Sequence, residues 1–517
     1  MLDAINCQAR MAPPDRLRQY GSSARLRTEA MDRRSFLATS LATSVAASCA
    51  ALASPAGVAA RRSRRLRLAV HPDTLGNPIA ADFTGLSYET SQLSDPRFFS
   101  PANAPLAGFH RRLGAAGILR LGGNTSEFSV WSPTAAPIQP GAEALGPDTG
   151  RHPAPRRPVT PLAIRNLRGF LELSGWRLIY GLNMGSESPE TVAAEAAYVA
   201  GAMGDRLVAL QLCNEPDLFN RNGLRPASYG YRQFATEWQH YFRAVRQRLP
   251  RVPIAGPDTA GNNEWLLRFA AERRQELAFL TQHYYAEGPP TDPSMTIERL
   301  LSPSRNLAAQ FTAVAAARRQ TGLPFRMVET NSCYQGGKPG VSDTFAAALW
   351  AADLMYQLAQ AGASGVNFHG GGYGWYTPVA GTRANGFVAR PVYYGMLLFA
   401  VAGAGHLVLT EMEEGVAGAV TAYCVKARDG DLKLVVLNKS LAVDTTLTVV
   451  APGLRTAAVL RLIAPRPDDT TDVTFGGSAV GNEGGWTPTV AESLQADRGA
   501  VTLSLPRASA ALVAMSG

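Results

Sequence analysis

Cysteine is scarce in this chain, with five residues in 517. Cys7 and Cys49 lie near the N-terminus, which leaves Cys213, Cys333 and Cys424 for the body. Three thiols cannot build a full disulfide framework, and their spacing matches no metal site, so each is expected simply to pack. An uninterrupted apolar run of membrane-spanning length is missing too. The stretch before residue 60 is diluted by Ser and Thr and broken by Pro55 and Gly57, which argues against a transmembrane helix. The third absence is a charge excess in the body. The formal charge is +9, but residues 1–60 hold seven Arg against four acids, and Arg61, Arg62, Arg64, Arg65 and Arg67 follow. Without these, 38 basic residues face 37 acidic ones from Leu68 onward. A near-neutral body offers no basic patch, so no nucleic-acid partner is expected.

What the front does carry is an address. Asp32-Arg33-Arg34-Ser35-Phe36-Leu37 resembles a twin-arginine export motif, and the Ala-rich stretch after it ends at Val58-Ala59-Ala60, a small-residue cleavage site. Residues 1–60 are therefore read as an N-terminal extension and signal peptide, with Met31 as a possible true start. The expected destination is periplasmic or extracellular, without stable membrane association once the signal is cleaved.

From about residue 80 to 400, apolar runs alternate with helical patterns. The runs are Phe83–Tyr88, Ile118–Leu121, Leu178–Leu182, Leu207–Leu212, Pro253–Gly256, Leu277–Tyr285, Pro324–Val328 and Gly365–Phe368. Helical spacing fills Thr191–Ala202, Tyr231–Arg248 and Ser342–Ala361. In the last of these, Ser342 is expected as the N-cap and Gly362 as the stop. Strands alternating with helices pair in parallel through right-handed crossovers, and eight such units close as a (β/α)8 TIM barrel. After residue 402 the texture becomes antiparallel β. Ala419–Lys426, Leu432–Val436, Thr445–Val450, Thr456–Leu462 and Ala500–Leu505 are expected strands of a β-sandwich over 402–517, with Asp429-Gly430 as a turn. The segment Pro465–Glu492, rich in Gly, Thr and Asp, is expected as a long surface loop.

In a barrel of this kind, chemistry gathers at the C-terminal ends of the strands. Two carboxylates stand there. Leu210-Gln211-Leu212-Cys213-Asn214-Glu215-Pro216 ends candidate strand four with a carboxyl beside an amide able to bind a sugar hydroxyl. Phe325-Arg326-Met327-Val328-Glu329-Thr330 ends candidate strand seven. Strands four and seven face each other across a barrel mouth. Two carboxylates flanking one bond are what glycoside hydrolysis needs, about 5–5.5 Å apart if the configuration is retained. Glu215 is expected as the general acid/base with a raised pKa, and Glu329 as the ionised nucleophile.

The segment Glu329-Thr330-Asn331-Ser332-Cys333-Tyr334-Gln335-Gly336-Gly337, followed by Val341-Ser342-Asp343-Thr344-Phe345, resembles the nucleophile region of glycoside hydrolase family 79, a clan A family that includes heparanase and microbial β-glucuronidases. Gly85-Leu86-Ser87-Tyr88-Glu89, Leu119-Arg120-Leu121-Gly122-Gly123, Gly256-Pro257-Asp258 and His283-Tyr284-Tyr285 agree in order. The resemblance implies that residues 66–78 add a strand to the β domain. It implies that Asn214 contacts the sugar 2-hydroxyl and that Tyr285 orients the nucleophile. Tyr334, with the backbone amides near Gln335 and Gly336, would hold a uronate carboxylate, and Tyr373 would close over it. Glu89 stands where the family has an Asp that binds sugar hydroxyls. His283 is read as a structural hydrogen-bonder.

These readings imply a retaining exo-β-glucuronidase that acts on a glucuronide-containing carbohydrate or glycoside without metal or cofactor. Neither Met184–Ser188 nor Ala286–Pro290 is basic, and the long loop Trp131–Pro158 could wall off one end of the cleft. Both features weigh against an endo-acting enzyme on heparan-like chains. A carbohydrate-binding protein that has lost catalysis is the rival from another class; the presence of both carboxylates opposes it.

Overall fold

A computed structural model describes residues 63–134, 156–371, 374–413 and 418–517. The expected signal segment, most of the loop 131–158 and Tyr373 lie outside the described residues. Eight parallel strands close into a barrel: Thr84–Glu89, Ile118–Gly122, Arg177–Gly181, Leu207–Gln211, Ile254–Thr259, Phe279–Glu287, Phe325–Cys333 and Val366–Gly370, called here barrel strands one to eight. They pair in chain order, and strand eight closes on strand one with Phe368 opposite Leu86. These are the eight apolar runs of the sequence. They read as nearly unbroken apolar stretches because strands in a covered parallel barrel are buried on both faces.

The helices between them follow from local chemistry. Pro189–Met203 has Pro at its first position and a Ser188 side chain that accepts a hydrogen bond from the Thr191 amide. Tyr231–Arg248 buries Phe234, Trp238, Tyr241 and Val245, one face at helical spacing. The helix expected from Ser342 begins at Phe345 instead. Ser342 is occupied by accepting the Lys338 amide, and Asp343 accepts that of Gly340, so both residues shape the preceding turn. Fourteen of this helix's sixteen residues are buried, because the helix Pro391–Ala402 packs along its other side.

Two layers fill the barrel interior. Near the bottom, Ile118, Ile179 and Val328 form a small apolar plug. Above it the inward side chains are polar, and they make up the site described below. Register shifts set this change. At strand seven, Met327 pairs with Gln282 and Glu329 with His283, so Val328 is an extra residue in the ladder. Such a bulge alters the parity of a strand, which lets Val328 and then Glu329 both address the interior. A second shift falls at Asp258 in strand five, whose φ is +64°.

Apart from two small two-stranded sheets, the remaining described strands form one ten-stranded sheet that curls around a core of its own, including Leu68, Val70, Leu434, Leu447, Leu503 and Val513. Its strands include Val420–Lys426, Leu432–Asn438, Asp444–Val450, Thr456–Ile463 and Ala500–Leu505, joined by a strand from the front of the chain, Ser63–Ile79. One departure from an antiparallel layout appears there. Ser63–Ile79 pairs in parallel with Asp444–Val450 and antiparallel with Gly405–Met412. The expected loop 465–492 is not wholly superficial. Trp486 stacks on Phe475 with centroids 4.9 Å apart, and both belong to the barrel-side core. The Val480 amide donates to the Tyr394 hydroxyl at 3.0 Å.

Barrel and sheet are joined by a buried ion pair. Lys439 Nζ lies 2.6 Å from Asp353, whose other carboxylate oxygen accepts from the Thr421 and Tyr423 hydroxyls at 2.7 and 2.8 Å. Breaking such a pair from one side strands a charge away from water. Asp353→Ala is expected to lower the unfolding free energy by about 3–5 kcal/mol, measured by urea titration.

Candidate active site

The polar layer at the C-terminal ends of the strands is built around Arg120, in the middle of strand two. Its side chain is fully buried. Nη1 donates to Glu329 Oε2 at 2.5 Å and to Ser87 Oγ at 3.2 Å; Nη2 donates to Asp258 Oδ2 at 2.7 Å and to Asn214 Oδ1 at 2.8 Å; Nε donates to Gln211 Oε1 at 3.1 Å. All five N–H bonds of a guanidinium can point outward in one plane, so a single side chain ties strands one, two, four, five and seven together. Two carboxylates face it, and they compensate its buried charge.

Glu215 and Glu329 converge. An oxygen of each and a ring nitrogen of His283 all lie within 4.8 Å of one another. That spacing suits a retaining pair better than an inverting one, which stands roughly 6.5–9.5 Å apart. Both glutamates are buried except for a small exposed fraction, 8% for Glu215 and 5% for Glu329. Their surroundings then separate them. Burial raises the Glu215 carboxyl above its ordinary range, and the charges of Glu329 and Asp258 add to this against the opposing His283. Burial also works against ionisation of Glu329. There the charges of His369, His283 and Arg120 and the hydrogen bond from Tyr285 outweigh it and hold the carboxyl well below the usual range. The two carboxyls are thereby driven apart in proton affinity.

Two histidines complete the layer. His283 Nδ1 is 2.9 Å from Glu215 Oε1, and its Nε2 is 3.1 Å from Asp258 Oδ1. Burial alone would lower its pKa, but the charges of Glu329 and Asp258 lift it to about 10. His369 Nδ1 sits 3.0 Å from Ser87 Oγ and 3.7 Å from Glu329, while its Nε2 is 3.4 Å from Glu89. Glu215, His283 and Glu329 are spaced closely enough for a small cation to bridge them. A cation there would meet Arg120 on Glu329 and a protonated His283, so the trio suits an organic substrate better than a metal.

The residues singled out from sequence fall into three groups. Glu215, Glu329, Asn214 and Tyr285 meet in this layer; Tyr285 donates its hydroxyl to Glu329 Oε1 at 2.8 Å. Asn214 is already engaged, accepting from Arg120 and donating to Asn124 Oδ1 at 3.2 Å. Glu89 stands at the end of strand one with Oε2 taking the Thr125 amide and hydroxyl at 2.9 and 2.6 Å, and with its carboxylate against Gly123. A side chain at Gly123 would overlap that carboxylate, and its φ of +73° also favours glycine. Tyr334, Gln335 and Gly336 lie farther up the rim. The Tyr334 ring meets Tyr285 edge-on with centroids 6.4 Å apart, and it is 39% exposed. Gln335 and Gly336 have φ of +60° and +86°, and the Gly336 carbonyl accepts the Trp375 amide at 2.6 Å. Tyr373 is outside the described residues.

Arg120, Asp258, His369, Gln211 and Ser87 were not assigned roles from sequence, and His283 was read only as a structural hydrogen-bonder. Arg120 did leave a trace, since a lone charge inside the apolar run Ile118–Leu121 needs buried partners. The others are polar residues within or at the ends of strands, and no local pattern tells which partners they meet.

The family model of the glycosyl hydrolase family 79 C-terminal beta domain matches residues 422–512. A β-glucuronidase of Aspergillus niger is 25% identical over 365 residues, covering 64% of this chain and 66% of that protein. One from Neurospora crassa is 24% identical over 380 residues, with 65% and 66% covered. The chain thus spans just under two thirds of the length of these curated relatives. Among solved structures, a 4-O-α-L-rhamnosyl-β-D-glucuronidase from Fusarium oxysporum superposes with a TM-score of 0.70 at 18% identity, over 87% of this chain and all of that one. A family 51 arabinofuranosidase from Xanthomonas axonopodis gives 0.61 at 15% identity, again over 87% and 100%. The chain shares its barrel fold with these enzymes and carries paired carboxylates of divergent proton affinity at its mouth. With the β-domain match and the two fungal relatives, it is similar to members of glycoside hydrolase family 79.

Because Arg120 helps keep Glu329 ionised, Arg120→Met should let that carboxyl take up a proton at higher pH. The acidic limb of the kcat/KM–pH profile is expected to move upward, with a loss at the optimum of roughly 100-fold or more. A profile followed on an aryl glycoside, with the limb unmoved, would contradict this role.

Proposed function

We propose that this chain is a retaining exo-β-glucuronidase that releases terminal β-linked glucuronate by double displacement. The observation that carries the reading is the pair Glu215 and Glu329, within 4.8 Å and driven apart in proton affinity by their surroundings. Glu329 attacks the anomeric carbon while Glu215 protonates the departing oxygen. Glu215, now a carboxylate, then takes a proton from the water that releases the sugar. His283 faces Glu215 throughout, and its positive charge offsets the negative charge that the acid/base gains in mid-cycle. Tyr285 and Arg120 hold the two oxygens of Glu329, so the nucleophile is aimed before substrate arrives.

Glucuronate as the sugar is supported by the names of the fungal relatives and of the Fusarium neighbour, and by the rim. A uronate carboxylate needs hydrogen-bond donors without a deeply buried countercharge, and the Tyr334 phenol with the backbone around Gln335 and Gly336 is of that kind. Tyr373 would close over the same group. Asn214 and Glu89 would meet sugar hydroxyls. Export by the twin-arginine route is part of the same proposal and rests on the motif at Arg33-Arg34. No helix among the described residues is long and apolar enough to cross a membrane.

Glu329→Ala should reduce turnover of an aryl β-glucuronide by about 10⁴-fold or more, and activity within about tenfold of wild type would remove it as nucleophile. Tyr334→Phe should weaken hydrolysis of the glucuronide far more than that of the matching glucoside; equal losses on both would take Tyr334 out of the carboxylate site.

A further inference from the structure

The proposed acid/base sits on a strained backbone. Glu215 has φ of +48° and ψ of +53°, the left-handed region that a residue with a side chain enters only at a cost. Something must hold the chain there. The Glu215 amide is tied to the Asp258 carbonyl at 2.9 Å. The preceding amide, that of Asn214, is tied to Glu127 Oε1 at 2.5 Å.

Glu127 lies in the short 3-10 turn Asn124–Phe128 that follows barrel strand two, and it is 2% exposed. Its other oxygen, Oε2, accepts the Gly185 amide at 2.5 Å from the loop after strand three, and its own carbonyl accepts Ser186 Oγ at 2.7 Å. The fit is close, since a Cβ on Gly185 would fall 2.8 Å from Glu127 Oε2. From the same turn, Asn124 Oδ1 takes the Asn214 side-chain amide at 3.2 Å. One turn therefore grips Asn214 by backbone and side chain together, immediately before the bend into Glu215. Burial pushes the Glu127 carboxyl up to about 8, against the two amides that favour its charge. No catalytic step proposed above uses this group.

We propose that Glu127 is a positioning residue: its carboxylate, clamped between the Asn214 and Gly185 amides, fixes the left-handed bend that aims Glu215 at the leaving-group oxygen. This rests on Glu215 acting as the general acid. A displaced general acid harms only those reactions that need the proton. Loss of Glu127 is thus felt by substrates with a basic leaving group and hardly by those with an acidic one. A residue that merely stabilises the fold would reduce both alike.

The test measures kcat/KM, which reports the first displacement, for phenyl and 2,4-dinitrophenyl β-glucuronide in Glu127→Met, beside Glu215→Ala as reference. The expected loss is about 100-fold on the phenyl compound and under about fivefold on the dinitrophenyl one. Equal losses on both, or none on either, overturn the proposal. If Glu127→Met does not fold, as judged by its melting curve, Gly185→Ala decides. Its methyl group pushes the carboxylate aside, and it must show the same asymmetry. If Glu215→Ala loses equally on both substrates, the acid/base assignment falls and the positioning role with it. An asymmetric Glu215→Ala beside symmetric Glu127 and Gly185 variants sinks the positioning role alone.

Discussion

The site depends on a guanidinium placed where water cannot reach it. Arg120 is buried in the barrel mouth and is tolerable there because Glu329 and Asp258 compensate its charge, with Asn214, Gln211 and Ser87 taking the remaining donors. Each partner belongs to a different strand apart from Gln211 and Asn214, which bracket the end of strand four. The positions of the acceptors are thereby fixed by one rigid planar group, and low local polarity strengthens every bond in the set. An Arg-to-Lys exchange would keep the charge but abandon most of that geometry.

The same network drives the two glutamates apart in proton affinity. Both are buried, and burial favours protonation of both. The balance is broken by what each one faces. Glu329 meets Arg120, His369 and the Tyr285 hydroxyl, whereas Glu215 has His283 as its opposing partner, and that histidine is shared with Asp258. Two chemically identical side chains are given divergent proton affinities by a difference in neighbours, not in depth.

Much of the fold could be read from the chain. The eight apolar runs are the eight barrel strands, because a strand covered on both faces must be apolar along nearly its whole length. Element starts were harder to read: Ser342 has the chemistry of a helix cap, yet it serves the turn from Lys338 to Ser342. Glu215 and Glu329 were legible since each follows an apolar run in a distinctive local context, although Glu329 falls inside strand seven and Glu215 beyond strand four. Arg120, Asp258 and His369 escaped assignment, and His283 was read only as a structural hydrogen-bonder, because their meaning is entirely one of encounter. The bulge at Val328, beside Glu329, and the left-handed bend at Asp258 depend on pairings between distant strands that no local pattern encodes. The loop after Pro465 misled for a related reason. Its Gly and Thr content speaks of turns, but Trp486 finds Phe475 and goes inside.

The strand Ser63–Ile79 is laid between Gly405–Met412 and Asp444–Val450, although more than 300 residues of barrel intervene in the chain. On a ribosome, this segment emerges early and then waits. Its hydrogen-bonding edges stay unsatisfied until nearly the entire polypeptide has been made, and the loop that must close around the barrel is among the longest the chain can form. Completion of this sheet therefore joins segments that lie far apart in the chain. A fragment cut after the barrel would leave the early strand with open edges on both sides, a standing invitation to aggregate.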